Sequence, residues 1–364
     1  MRTGVSKGGE WDARERGFQH PFGLHLFVLF LQEQEKYIQH DAQKQPLRHI
    51  MLGGDFLSLV PTDVPMTSQR CEDTIQALIQ TYPFLRSEEL TTTAYGRPVR
   101  ALVMGNGERK VLYSASHHAN EWITTPVLLK FVEDLAEAAQ NRGRIFGVNG
   151  QTILEAATLY IVPMVNPDGV DLVTGAVPPG TLEYETAGRI SDNFPEIPFP
   201  DGWKANLLGV DLNLQYPAGW LIAREIKFSE GFDRPAPRDY VGRAPLNQRE
   251  TIALADYTER IDPTLVLAYH TQGKVIYWQF RDYQVPGARA LGEEFARLSG
   301  YELSEVPYES SFAGYKDWFI QNFRRPGFTI EAGAGENPLP LTQFPEIYRD
   351  NLGILVTAAL GLPE

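Results

Sequence analysis

The sequence holds one cysteine, Cys71, among 364 residues. A lone thiol excludes an internal disulfide framework and any metal site built from several thiolates. Nothing beside Cys71 marks a nucleophile, so a buried apolar thiol is expected. Long apolar runs are also missing, and none reaches the ~18 residues that a membrane span needs. The nearest, Gly23 to Leu31 (GLHLFVLFL), resembles the apolar core of a secretion signal. Gln32-Glu33-Gln34-Glu35-Lys36 follows it in place of a small-residue cleavage site, which makes the cytoplasm the default location. Positive charge is scarce: 33 Lys and Arg stand against 46 Asp and Glu, for a net charge of -13. That balance speaks against a nucleic-acid partner. With 43% hydrophobic and 22% charged residues, the remaining composition is that of a globular chain. Histidine is scarce where it matters. Of seven in the sequence, His20, His25, His40 and His49 fall before residue 60, leaving His117, His118 and His270.

Residues 1 to 65 lack strand–helix alternation and read as a poorly ordered N-terminal extension. One folded domain is expected over 66 to 364. Ser68 to Leu85 places Cys71, Ile75, Leu78 and Ile79 on one helical face, with Ser68 as the N-cap. Arg97 to Gly105, Lys110 to Ser116, Ala157 to Val165 and Thr264 to Tyr269 read as strands. Thr124 to Ala139, Ala288 to Ser299 and Pro345 to Leu360 read as helices. The alternation predicts an α/β fold with a mixed, mostly parallel sheet sandwiched between helices. Gly175 to Gly202 interrupts it with five prolines and four glycines and reads as a long loop. Ser229 to Arg249 reads the same way.

The chemistry gathers at the ends of apolar runs. His118-x-x-Glu121 follows a strand and precedes a helix, and this spacing brings both side chains to one side of a helical turn. The run Leu265 to Tyr269 ends at His270, Gly327 to Ile330 ends at Glu331, and Leu159 to Val165 ends at Asn166-Pro-Asp-Gly169. In open α/β sheets the crevice beyond the strands' carboxyl ends binds ligands. Two histidines and one glutamate with an open fourth position form a ligand set of catalytic zinc. A separate glutamate is then free to act as the base that activates water. In an extended segment His117 points away from His118, although it remains the alternative ligand.

These residues resemble the zinc carboxypeptidase family typified by carboxypeptidase A, from about residue 67 to the C-terminus. His118-x-x-Glu121-Trp122, Asn166-Pro-Asp-Gly169, Gly209-Val-Asp-Leu-Asn213, His270 and Glu331 occur in the family's order. The resemblance implies one Zn2+ per chain held by His118, Glu121 and His270, with Glu331 as general base on an amide. It implies Asn213 in the substrate pocket, Tyr308 in Val306-Pro-Tyr-Glu-Ser310 as a mobile tyrosine over the substrate, and Asp317 deep in the specificity pocket. A helix-capping Asp317 is the structural alternative, and counting back from Asp317-Trp318 puts Glu309 at the tyrosine's place, so Tyr308 requires a one-residue offset.

Two departures stand out. Family members that remove a C-terminal residue carry an arginine directly after that asparagine, where a planar fork can clamp a carboxylate. Here the position is Leu214. The arginine that steadies the family's oxyanion falls near Leu207, and none stands there; Lys204 or another arginine is left to substitute. The text around residues 209–218, 270–278 and 311–340 is similar to the branch of bacterial γ-D-glutamyl-L-diamino acid endopeptidases. That branch cuts the γ-D-glutamyl–diaminopimelate bond of peptidoglycan stem peptides, so a peptide or muropeptide is the implied substrate. An anionic substrate calls for cations along the cleft, with Lys274, Arg243 and Arg281 as candidates. The competing readings are a metallocarboxypeptidase with a relocated carboxylate reader, a zinc amidase or deacylase, and a zinc-binding protein without activity.

Overall fold

The computed structural model describes residues 58–362. The apolar run at Gly23 to Leu31 and most of the expected N-terminal extension lie outside them. Residues from 58 onward join the body: the Ser58 hydroxyl and the Leu59 N–H donate to the Glu133 carboxylate at 2.7 and 2.6 Å.

The chain runs through α1 (Ser68–Thr81), β1 (Arg86–Thr92), β2 (Pro98–Gly105), β3 (Arg109–Ala115), α2 (Thr124–Gln140) and two-residue strands β4 (Arg144–Ile145) and β5 (Val148–Asn149). There follow α3 (Gly150–Ala156), β6 (Ala157–Val162), α4 (Pro167–Val173), α5 (Leu182–Ser191), α6 (Trp220–Ser229), α7 (Arg249–Ile261), β7 (Leu265–His270) and β8 (Val275–Tyr277). The last elements are α8 (Ala288–Ser299), β9 (Glu302–Ser304), α9 (Tyr315–Phe323), β10 (Gly327–Glu331) and α10 (Phe344–Leu360).

Eight strands form one sheet in the order β1-β2-β6-β3-β7-β10-β8-β9. Its centre, β6-β3-β7-β10, is parallel throughout. Antiparallel pairs flank it, β2 against β6 on one side and β8 against β10 on the other. The mixed, mostly parallel sheet between helices is the expected one. β7 reads LVLAYH and is buried at every position, as a parallel strand covered on both faces must be. Side-chain alternation sorts the two layers. Leu112, Val266 and Ala268 pack with Leu254 and Tyr257 of α7 and Trp318 and Phe319 of α9. On the opposite face the Tyr113 ring lies 5.8 Å from Phe131 of α2. Its hydroxyl donates to the Leu355 carbonyl of α10 at 2.9 Å.

Local chemistry shifts three boundaries. Thr67 rather than Ser68 caps α1, accepting from the Arg70 N–H, because the Ser68 hydroxyl donates to Asp171 at 2.6 Å instead. α1 stops at Thr81 rather than Leu85, since Pro83 disfavours helical backbone at Tyr82. Inside the expected loop Gly175 to Gly202, α5 forms: Thr181 accepts from the Tyr184 N–H, Glu183 and Glu185 occupy the first turn, and Arg189 stands in the last. Both ends therefore suit the helix dipole, and the prolines stand outside the helix.

Candidate active site

Because β3, β7 and β10 are parallel, their carboxyl ends open on the same edge of the sheet. Past β3, Ser116 takes a left-handed φ of 51° and turns the chain. The residues Ala119–Glu121 then form a single 3-10 turn before α2, so His118 and Glu121 face the same side. The register sets His270 directly beside Glu331 across β7 and β10. Tertiary structure thus delivers four side chains from three strand ends.

The Nδ1 atom of His118 lies 2.9 Å from Glu121 Oε1. His270 Nδ1 is 2.8 Å from Glu121 Oε2 and 3.3 Å from His118 Nδ1. One donor atom of each of the three residues lies within 4.8 Å of the others. Imidazole and carboxylate are donors zinc accepts. Three such groups converge on one point, two of them buried and His118 half-buried, and two imidazoles with one carboxylate are the donor set of a catalytic zinc site. The residues fit the metal. His117 faces elsewhere: its Nε2 meets the Tyr216 hydroxyl at 3.2 Å and its ring stacks on His270 at 5.6 Å. Burial, followed by the neighbouring His270 and His118, holds His117 well below the ordinary histidine range and hence neutral.

Asp211 is a member that the sequence reading passed over, although it stands inside Gly209-Val-Asp-Leu-Asn213. Its Oδ1 is 3.0 Å from His118 Nε2 and accepts the Asn213 N–H at 3.1 Å. Its Oδ2 accepts the Asp239 N–H at 3.2 Å. Burial alone would raise this carboxyl, but His118 outweighs it and leaves Asp211 well below the usual range. Burial likewise opposes charge on His118, and Glu121 and Asp211 together overcome it, lifting the imidazole to about 9. Asp211 holds the Nε2 proton and leaves Nδ1 turned to Glu121.

The Lys204 ammonium reaches the same group, 3.0 Å from Glu121 Oε1. Burial lowers its affinity for a proton and Glu121 more than restores it. The expected position near Leu207 is instead fully buried among Ala119, Leu172 and Trp203. Lys204, three residues earlier, is the cation that reaches Glu121. Asn166 makes this possible. Its Nδ2 donates to the carbonyls of His117, Lys204 and Ala205 at 3.2, 3.3 and 3.0 Å, and its Oδ1 accepts the Gly169 N–H to cap α4. A Cβ on Gly169 would stand 2.4 Å from the Ala205 carbonyl, so a side chain there would push the Lys204 segment away. Asp168 of the same tetrapeptide is structural, bound by Arg97 and Thr93 at 2.9 and 2.8 Å.

Glu331 is half-buried, and its carboxylate makes no hydrogen bond or ion pair among the described residues. Burial raises its carboxyl, partly offset by His270. Asn213 accepts the Tyr315 N–H at 3.1 Å, and the Tyr315 ring lies 5.7 Å from His117, which ties Asn213 to the metal set. Leu214 is half-buried against the α7 and α9 core. Tyr308 is exposed, its ring edge-on to Phe312 at 5.1 Å. Asp317 is buried, its Oδ2 accepting the Gly314 N–H at the start of α9 and its Oδ1 lying 2.6 Å from Lys316 Nζ, so it serves as the helix cap. Lys274 is neutralised by Glu346 and Asp350 at 2.6 and 3.2 Å. Arg243 is exposed.

A mostly parallel sheet carrying two histidines, a glutamate and a separate free carboxylate at its strand ends has the arrangement of a metallohydrolase. The zinc carboxypeptidase family matches residues 71–353, and the chain belongs to it: it is a zinc-dependent metallopeptidase. Gamma-D-glutamyl-L-diamino acid endopeptidase 1 of Lysinibacillus sphaericus is 44% identical over 286 residues, 78% of this chain and 69% of that protein. The uncharacterized protein YqgT of Bacillus subtilis is 37% identical, over 78% of this chain and 74% of its own length. In fold, carboxypeptidase A of Helicoverpa armigera superposes with a TM-score of 0.61 at 18% identity, over 93% of this chain and 82% of that one. No helix among the described residues is long and apolar enough to cross a membrane.

Proposed function

We propose that this peptidase cleaves the amide between γ-D-glutamate and a diamino acid within peptidoglycan stem peptides. The observation that carries this reading is Leu214. Directly after Asn213, where removal of a C-terminal residue calls for an arginine fork, stands an apolar side chain half-buried in the core. Such a side chain cannot hold a terminal carboxylate, which suits a substrate that continues past the cut. The similarity to the Lysinibacillus endopeptidase supports the same choice.

In this reading His118, Glu121 and His270 would hold zinc, which when bound would supply Lewis acidity to the scissile carbonyl and lower the pKa of a water. Glu331 takes a proton from the attacking water and passes it to the leaving amine. Its lack of hydrogen-bond partners leaves both oxygens free for that transfer. Lys204 supplies a fixed positive charge beside the oxygen that becomes anionic. Asp211 keeps His118 in its orientation, and Asn213 contributes a polar contact to the peptide. Tyr308, at the exposed rim, closes over the bound substrate.

The test is mass spectrometry of products from L-Ala-γ-D-Glu-meso-diaminopimelate-D-Ala, with and without a chelator. Release of L-Ala-γ-D-Glu that stops with the chelator is expected. Release of D-Ala alone would instead mean a carboxypeptidase whose carboxylate reader lies elsewhere. An uncut peptide would point to another acyl substrate.

A further inference from the structure

The cations near the site are mostly neutralised. Lys316 pairs with Asp317, Lys274 with Glu346 and Asp350, and Lys227 with Glu230 and Asp239. Arg281 differs: among the described residues its guanidinium makes no hydrogen bond or ion pair. It is nevertheless held in place. Its CZ atom lies 5.4 Å from the Phe280 ring centre and 5.3 Å from that of Phe312, a geometry that fixes a guanidinium plane while leaving its edge donors free.

The neighbouring backbone makes room for it. A Cβ on Gly219 would stand 2.9 Å from a terminal nitrogen of Arg281 and 2.8 Å from Phe312, so a side chain there would displace both. Arg281 itself takes a left-handed φ of 49°, which only the surrounding contacts can hold in a non-glycine residue.

The two loops touching this guanidinium lead to the metal set. Ala313, next to Phe312, exchanges backbone hydrogen bonds with Tyr216 and Ala218 at 3.0 and 2.8 Å. Gly219 follows Ala218, and Asn213 lies just upstream of Tyr216. Tyr216 and Tyr315 both rest on His117, whose ring stacks on His270. Tyr308 leans on the same Phe312 ring. With Asp317 already paired to Lys316, the cluster of Arg281, Lys316 and Asp317 retains one uncompensated positive charge.

We infer that Arg281 binds a carboxylate at the far end of the leaving-group residue. It thereby selects a diamino acid ending in both an ammonium and a carboxylate over one ending in an ammonium alone. This deepens the γ-D-glutamyl reading and rests on it. Leu214 has given up the main-chain carboxylate clamp, and the unpaired fork lies instead beside the loops that carry Asn213 and Tyr308, where it reads a side-chain carboxylate.

The experiment compares kcat/KM for L-Ala-γ-D-Glu-meso-diaminopimelate and L-Ala-γ-D-Glu-L-lysine, using wild type, Arg281→Leu, Arg281→Lys and Arg281→Glu. Zinc content and melting temperature are followed for each. Wild type is expected to favour the diaminopimelate peptide. Arg281→Leu reduces that ratio about 10- to 100-fold, the range of a charge-assisted hydrogen-bond pair. Arg281→Lys recovers part of it, and Arg281→Glu tips the preference to lysine, which a merely structural role would not do. An unchanged ratio in zinc-loaded variants, or a wild type that cuts both peptides equally, overturns the inference and leaves the γ-glutamyl reading standing. A wild type that cuts neither peptide yet hydrolyses another amide in a chelator-sensitive way overturns both.

Discussion

Replacing Asp211 by asparagine isolates the outer partner of a proposed metal ligand. The carboxylate does three things at once. Its Oδ1 holds His118 Nε2 at 3.0 Å and the Asn213 N–H at 3.1 Å, and its Oδ2 takes the Asp239 N–H at 3.2 Å. Asparagine has nearly the same shape but only one oxygen. If that oxygen keeps His118 and Asn213, the new NH2 faces the Asp239 N–H, donor against donor. The negative charge that makes His118 a better electron donor is lost as well. Outer-partner substitutions of this kind weaken metal binding about 10- to 100-fold, or about 1.4 to 2.7 kcal/mol. The assay is competitive zinc titration against a chromophoric chelator at pH 7.5, with the affinities of wild type and Asp211→Asn compared. Because Asn213 hangs from the same oxygen, KM should rise alongside. An unchanged zinc affinity in a folded variant would refute the reasoning, since it would mean that the hydrogen bond at Nε2 neither orients nor polarises the ligand.

Glu331→Gln should keep its zinc and lose about 10²- to 10⁴-fold in turnover, as expected for removal of a proton carrier; steady-state kinetics beside metal analysis would reveal normal turnover and sink the assignment. Lys204→Met should lower kcat about 10²- to 10³-fold with zinc retained, the size of one lost oxyanion partner, and a variant as fast as wild type would remove Lys204 from the mechanism. Glu250, buried at the start of α7, is pushed by burial from its ordinary value of 4.5 up to about 7, partly opposed by its own backbone N–H and by Asn206. A carboxyl raised on folding binds its proton more tightly in the native state. Its contribution is therefore fully present below pH 4.5 and is lost as the pH rises through about 7, at a cost of about 3 kcal/mol. Glu250→Gln should thus gain stability over wild type at pH 8 relative to pH 5; the same difference at both values in urea unfolding would contradict this.

His118-x-x-Glu121 could be read from the sequence because a three-residue spacing on one turn is a local property. His270 and Glu331 were legible because apolar runs end at them, and the run-and-helix rhythm that marks parallel strands also announced the α/β class. α5 went unseen because the prolines around it dominate the composition of its window, although Thr181 and the acids after it supply a sound N-terminus. Lys204 and Asp211 belong to segments without periodicity. Only the fold swings them against Glu121 and His118: hydrogen bonds from Asn166 hold the Lys204 segment beside His117, and the Asp239 N–H and the Tyr240 carbonyl hold Asp211. The sequence offers Asp317 both as a pocket residue and as a cap, and its contacts with the Gly314 N–H and Lys316 form only in the folded chain. The sequence by itself determined the fold class and the chemical identity of the donors, because periodicity and residue type are carried by neighbouring residues. The tertiary structure alone decided which cation reaches Glu121, which carboxylate meets His118 and which rings hold the Arg281 guanidinium, because these depend on distances between segments that local propensity does not encode.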